Sequence, residues 1–219
     1  MITNATTRIK ICGLSTPETV QTCVDAGADY LGFTFFARSP RNVTPETAAR
    51  LAQLVPDNVL KVALTVDADD ATLETIITAL KPDILQLHGA ETPERLNILK
   101  SRYGLTLMKA IAISAPEDLE KMALYHDSAD LLLFDAKPPK SMPDALPGGN
   151  GLAFDWSLLA GQKPETPWML SGGLTAQNVR DAIEMTGAEA VDVSSGVEDR
   201  PGHKSPELIE KFIRAARSV

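Results

Sequence analysis

Long apolar runs are missing from this chain, and so is any excess of basic charge. No stretch nears the roughly 18 apolar residues of a membrane-spanning helix, so a helical membrane protein is not expected. Lys and Arg number 21 against 29 Asp and Glu, a formal charge of −8. The basic face that nucleic-acid binding requires is therefore not expected either. Cysteine is almost absent. Cys12 and Cys23 are too few for a disulfide framework, and no Cys/His spacing of a metal site accompanies them. The opening residues Met1 to Arg8 lack the basic and apolar regions of a secretion signal. These absences together lead us to expect a cytoplasmic protein with reduced thiols and no metal.

What is present is a regular alternation. Apolar, strand-like runs lie near residues 8–12, 29–35, 60–66, 83–87, 106–110, 130–135, 167–171 and 190–193. Helical patterns lie near 16–26, 45–55, 69–80, 92–102, 115–125, 155–160, 175–186 and 205–217. Several helices open with a cap residue, a proline and an acid, as in Thr16-Pro17-Glu18, Thr44-Pro45-Glu46 and Ser205-Pro206-Glu207. That order satisfies unpaired N–H groups and suits the helix dipole. Strict β/α alternation demands parallel pairing with right-handed crossovers, so the expected fold is α/β, a (β/α)8 TIM barrel filling residues 1–219 as one domain. A doubly wound open sheet is the competitor, but Cys12-Gly13-Leu14-Ser15 is not its glycine-rich first turn. Residues 136–154 have no periodicity and are rich in proline and glycine. Following strand 6, this stretch is expected to be a lid over the catalytic face.

Two turns near the end of the chain point to the ligand. Ser171-Gly172-Gly173-Leu174 and Ser194-Ser195-Gly196-Val197 each follow a short apolar run. In a barrel, the loops after strands 7 and 8 present backbone N–H groups to a phosphate. A small phosphorylated molecule is the expected partner. At the carboxyl ends of the other strands stand Cys12, Arg38, Arg41, His88, Lys109, Asp135 and Asp192. Each has a bland reading: Cys12 as a small filler, Asp135 as a loop cap, His88 as a turn residue, Asp192 as support for the phosphate turn. Arginines on the active face of an acidic protein would suit an anionic substrate.

The motifs Lys10-Ile11-Cys12-Gly13, Ser39-Pro40-Arg41, Gln86-Leu87-His88-Gly89, Asp135 and Phe154-Asp155-Trp156 occur in that order. With the two glycine turns and Glu198, the series resembles the phosphoribosylanthranilate isomerases over essentially the whole chain. The resemblance implies an Amadori rearrangement of N-(5-phosphoribosyl)anthranilate, without metal or organic cofactor. It implies Cys12 as general base, Asp135 as general acid and Arg41 as the carboxylate ligand. It also implies phosphate on Gly172, Gly173, Ser195 and Gly196, with His88 and Asp192 near the substrate. Two other readings of the residues remain: a Schiff-base aldolase or lyase using Lys109, and a non-catalytic phosphosugar-binding module. A monomer is the working expectation for assembly. Burial is expected to raise the acid at Asp135, and backbone dipoles are expected to favour the Cys12 thiolate.

Overall fold

The computed structural model describes residues 6–137, 141, 146–162 and 164–219. Its strands are β1 (Arg8–Cys12), β2 (Tyr30–Phe35), β3 (Leu60–Thr65), β4 (Ile84–Leu87), β5 (Thr106–Ile113), β6 (Leu131–Ala136), β7 (Trp168–Leu170) and β8 (Ala190–Val193). They pair in parallel and in chain order, and β8 closes on β1. The barrel expected from the alternation is the one observed. Between the strands run helices α1 (Pro17–Asp25), α2 (Pro45–Ala52), α3 (Asp70–Leu80), α4 (Pro93–Tyr103), α5 (Lys121–Tyr125) and α6 (Val179–Thr186), with α7 (Pro206–Ala216) last.

Caps mark where the helices are regular. Thr16, Thr44, Thr92 and Ser205 each accept a backbone N–H of the first turn, with proline at the first positions. Each such cap contributes about 1 kcal/mol. Ala115 carries no side-chain oxygen to do this, and the helix expected over 115–125 is a 3-10 turn, Pro116–Glu120, followed by the short α5. The helix expected over 155–160 is only a 3-10 turn, Trp156–Leu159. Gly161, at φ 73°, lies just past its end. An antiparallel hairpin, β9 (Glu198–Arg200) with β10 (His203–Lys204), was not anticipated. It falls after the expected last strand, and its two short segments are too polar to announce themselves.

Period-two alternation sorts the strand residues between two cores. Ile9, Ile11, Phe33, Leu87, Phe134 and Val191 face outward and pack with helical residues such as Val20, Ile209 and Phe212. Tyr30, Val62, Ile84, Met108, Leu133 and Met169 fill the interior. Lys10 is inside as well, and it is fully buried. Its register partner on β8 is Asp192, and its ammonium donates to Asp192 Oδ1 at 2.8 Å. Ser171 Oγ donates to the other carboxylate oxygen at 3.1 Å. A polar layer thus crosses the seam where the barrel closes, directly above the apolar interior.

A buried pair of this kind resists the loss of one partner, because the remaining charge has no water to turn to. Lys10→Met is therefore expected to lower unfolding free energy by about 3–5 kcal/mol, read from urea denaturation. Adding Asp192→Leu should recover most of that loss. A single variant as stable as the parent would show that the pair does not hold the seam.

Candidate active site

One pocket opens at the carboxyl ends of the strands, and every residue that the family resemblance assigns to the site lines it. Cys12, Arg41, His88, Asp135 and Asp192 are there, with Gly172, Gly173, Ser195 and Gly196. Arg38 is exposed and outside it. The described part of the strand 6 loop lies across the mouth, from Leu146 to Leu152. Residues 138–140 and 142–145 of the expected lid lie outside the described residues.

Cys12 points inward because it stands two residues after Lys10 on β1. Its register partner is Gly32. A Cβ on Gly32 would come within 2.9 Å of the sulfur, so the glycine makes the thiol's space. The thiol is 4% exposed. Burial pushes its pKa up, Lys10 and Lys204 pull it down, Asp192 pushes it up again, and the net direction is upward. This corrects the expectation that backbone dipoles would favour the thiolate: desolvation outweighs the cations. Lys10 shows the complementary balance. Burial disfavours its charge, but Asp192 and Cys12 outweigh burial and raise its pKa.

Asp135 faces the same pocket from β6. Its Oδ1 accepts the N–H of Ala136 at 2.8 Å, and Oδ2 lies 3.4 Å from His88 Nε2. His88 follows β4, two residues after Gln86. The Gln86 amide nitrogen lies 3.0 Å from His88 Nδ1 and can only donate. With the amide in this orientation Nδ1 accepts, which leaves Nε2 as the ring nitrogen that carries a proton toward Asp135. Gly148 of the lid sits over both groups. A Cβ there would come within 2.5 Å of Asp135 Oδ2 and 2.6 Å of His88 Nε2. Asn150 braces this segment, its side chain bonding the N–H and carbonyl of Leu146 at 3.1 and 2.7 Å.

The glycine turns line the pocket after β7 and β8. Among the described residues, no protein acceptor takes the N–H of Gly172, Gly173, Ser195 or Gly196. Clustered free N–H groups in a turn bind anions. Gly173 has φ 66°, and a Cβ would meet the Ala153 backbone nitrogen at 2.7 Å. A Cβ on Gly196 would lie 1.9 Å from the Leu174 carbonyl oxygen. Neither position admits a side chain without moving the backbone.

Arg41 is 5% exposed and gripped from one side. Its Nε and Nη2 donate to Glu198 Oε1 and Oε2 at 2.7 and 2.8 Å, and Nη2 also meets the Gly149 carbonyl at 3.1 Å. Asp192 lines the pocket, yet both its oxygens are held from within by Lys10 and Ser171.

Lys109 is elsewhere. It pairs in register with Leu87 and Leu132, both on the outer face of the barrel. Its ammonium donates to Glu91 Oε2 at 2.9 Å, to the Gly89 carbonyl at 2.7 Å and to the Leu87 carbonyl at 3.2 Å. With its donors engaged and the pocket on the other side of the strand, it is no Schiff-base nucleophile for this site. The expected aldolase alternative fails on strand parity, which could have been counted from Met108 and Ala110.

Sequence reasoning gave no role to Lys10, Gln86, Ser171, Glu198 or Lys204, although all but Lys204 stand in the quoted motifs. Lys10 and Gln86 carried a signal, each lying two residues before a chosen site residue. Glu198 and Lys204 meet Arg41 only through the hairpin.

Comparison with known proteins agrees with this geometry. A family profile described as N-(5'phosphoribosyl)anthranilate (PRA) isomerase matches residues 9–215. The N-(5'-phosphoribosyl)anthranilate isomerase of Parvibaculum lavamentivorans is 70% identical over 96% of this chain and 98% of its own length. That of Paramagnetospirillum magneticum is 52% identical over 95% and 96%. The crystal structure of phosphoribosyl anthranilate isomerase from Thermotoga maritima superposes with a TM-score of 0.87 at 34% identity, covering 97% of this chain and 100% of that one. A phosphoribosyl anthranilate isomerase in complex with reduced 1-(o-carboxyphenylamino)-1-deoxyribulose 5-phosphate superposes at 0.81 with 31% identity and the same coverage. On its fold, its pocket and these matches, the chain belongs to the N-(5'-phosphoribosyl)anthranilate isomerase family.

Proposed function

We propose that this isomerase carries out its Amadori rearrangement with Cys12 as general base and Asp135 as general acid. The observation that carries the assignment is their placement. They enter one pocket from β1 and β6, and the same pocket is lined by the glycine turns with their free N–H groups and by the Arg41 guanidinium. N-(5-phosphoribosyl)anthranilate has the matching layout, with a phosphate at one end and an aromatic carboxylate at the other. On this reading the phosphate takes the N–H groups of Gly172, Gly173, Ser195 and Gly196, and the carboxylate takes Arg41.

Asp135 delivers a proton to the furanose ring oxygen, and the ring opens to a Schiff base. The iminium carbon then acidifies the neighbouring C2'–H, and the Cys12 thiolate removes that proton. The resulting enolamine takes a proton at C1' and gives one up from its C2' hydroxyl, yielding the ketone, 1-(2-carboxyphenylamino)-1-deoxyribulose 5-phosphate. Two groups of opposite role suit such a transfer, each matched to its own step. His88 Nε2–H, turned toward Asp135 by Gln86, stabilises the carboxylate that forms once the proton has left. Asp192 acts from beneath, holding Lys10 and Ser171. Gly148 covers the acid and excludes water from it. A purely binding module would leave Cys12 and Asp135 idle, and the relatives are isomerases.

The proposal extends to a monomeric, cytoplasmic enzyme. One chain supplies every residue given a role, and both cysteines are unpaired thiols. No helix among the described residues is long and apolar enough to cross a membrane.

Cys12→Ala and Asp135→Asn should each lower kcat by at least about 10²–10⁴, followed by loss of substrate fluorescence, while leaving inorganic phosphate binding intact. Near-normal kcat in either variant would remove that residue from the chemistry. Gly148→Ala tests the lid separately, since its φ is not in the left-handed region and only the contact with Asp135 and His88 is disturbed. It should raise KM roughly tenfold, about 1.4 kcal/mol, without unfolding the protein. An unchanged KM would show that the lid need not close there.

A further inference from the structure

Arg41 carries five N–H donors in a rigid fork, and Glu198 takes the Nε hydrogen and one on Nη2. That bidentate grip fixes the plane of the guanidinium. It leaves the Nη1–Nη2 edge free of side-chain partners, and that edge turns to the lid, where Gly149 lies against it. Glu198 is itself held. Its side chain is 4% exposed, and Lys204 from β10 donates to its Oε1 at 2.6 Å. Lys204 also donates to the Ser194 carbonyl at 2.9 Å and to Ser194 Oγ at 3.2 Å, and Ser194 Oγ donates to the Cys12 carbonyl. Burial works against the charge on Glu198, but Arg41 and Lys204 outweigh it and hold its carboxyl below the usual range.

The charge count matters as much as the geometry. An Arg–Glu pair alone would be neutral and a weak attractor of anions. Lys204 shares the carboxylate, so two basic side chains face one anion even though burial lowers the Lys204 pKa, and with both Nη2 hydrogens engaged by Glu198 and the Gly149 carbonyl the surplus positive charge is offered at Nη1 of Arg41. The guanidinium is therefore both aimed and left charged before any substrate arrives, which removes the entropy of orienting a long side chain on binding.

We propose that Glu198 is the positioning residue that gives this isomerase its selectivity for a carboxylated aromatic amine, acting through Arg41. The proposal rests on the reading of Arg41 as the carboxylate ligand.

The test compares two substrates, phosphoribosylanthranilate and the carboxyl-free N-(5-phosphoribosyl)aniline, in the parent and in Glu198→Gln, Arg41→Ala and the double variant. Glu198→Gln should raise KM for the carboxylated substrate at least roughly tenfold, with a smaller change in kcat and little effect on the aniline analogue. The double variant should be no worse than Arg41→Ala alone, as expected when one residue acts through the other. Glu198→Asp keeps a charge for Lys204 but shortens the reach to Arg41, so it should show the same selective loss if Glu198→Gln folds poorly. Equal losses on both substrates, or full additivity with Arg41→Ala, would overturn the proposal. If Arg41→Ala itself retains the preference for the carboxylate, the reading of Arg41 fails first and the proposal with it. If Arg41→Ala loses the preference and both Glu198 variants keep it, the role of Glu198 alone is refuted.

Discussion

The ion pair between Lys10 and Asp192 is the interaction on which the rest of the site depends. It spans the seam where β8 meets β1, the only pairing that turns a sheet into a barrel. Both partners point inward, one layer beneath the mouth, and Cys12 is the next inward residue above Lys10. The closure of the fold and the electrostatic setting of the thiol are thus one arrangement. Ser171 ties the same carboxylate to the end of β7, so the turn carrying Gly172 and Gly173 begins from a fixed point.

An acidic protein that handles a doubly anionic substrate has to concentrate its few cations. Here Arg41 stands at the mouth with Lys10 and Lys204 buried behind it, each beside a buried carboxylate. The carboxylates orient those cations in a site that strips them of water; Asp192 and Cys12 raise the Lys10 pKa, whereas burial lowers that of Lys204 despite Glu198. The cost is visible at Cys12. Burial raises its pKa although two lysines act against it, and the ammonium of the pair beneath it is one of the two groups that favour the ionised sulfur. The described lid residues Leu146 to Leu152 line the same pocket, with Gly148 lying beside Asp135.

The legibility of this molecule follows the range of the interactions involved. Period-two strands and proline-led caps are local, and they placed the eight strands and most helices without error of type. Residues 115–125 fell short where an alanine stands at the cap position. The site residues were legible because a barrel collects strand ends, so Cys12, His88 and Asp135 come together by topology alone. Lys109 was misjudged because position along a strand was used without its parity, and one residue of shift moves a side chain from the mouth to the helical layer. Glu198 and Lys204 were invisible as a pair. Their meeting with Arg41 depends on a hairpin of short polar strands and on contacts more than a hundred residues apart in the chain.

The central claim is that the pair beneath Cys12 sets the thiol's ionisation. Titration of the thiolate's ultraviolet absorbance in a Cys23→Ser background measures it directly, because Cys23 is buried with its own pKa pushed up to about 12. The midpoint should lie above the roughly 8.5 of a free cysteine. Asp192→Asn should lower it, since the nearby anion is removed and Lys10 is freed to pair with the sulfur. A thiolate already formed at neutral pH, or a midpoint unmoved by Asp192→Asn, would contradict the account.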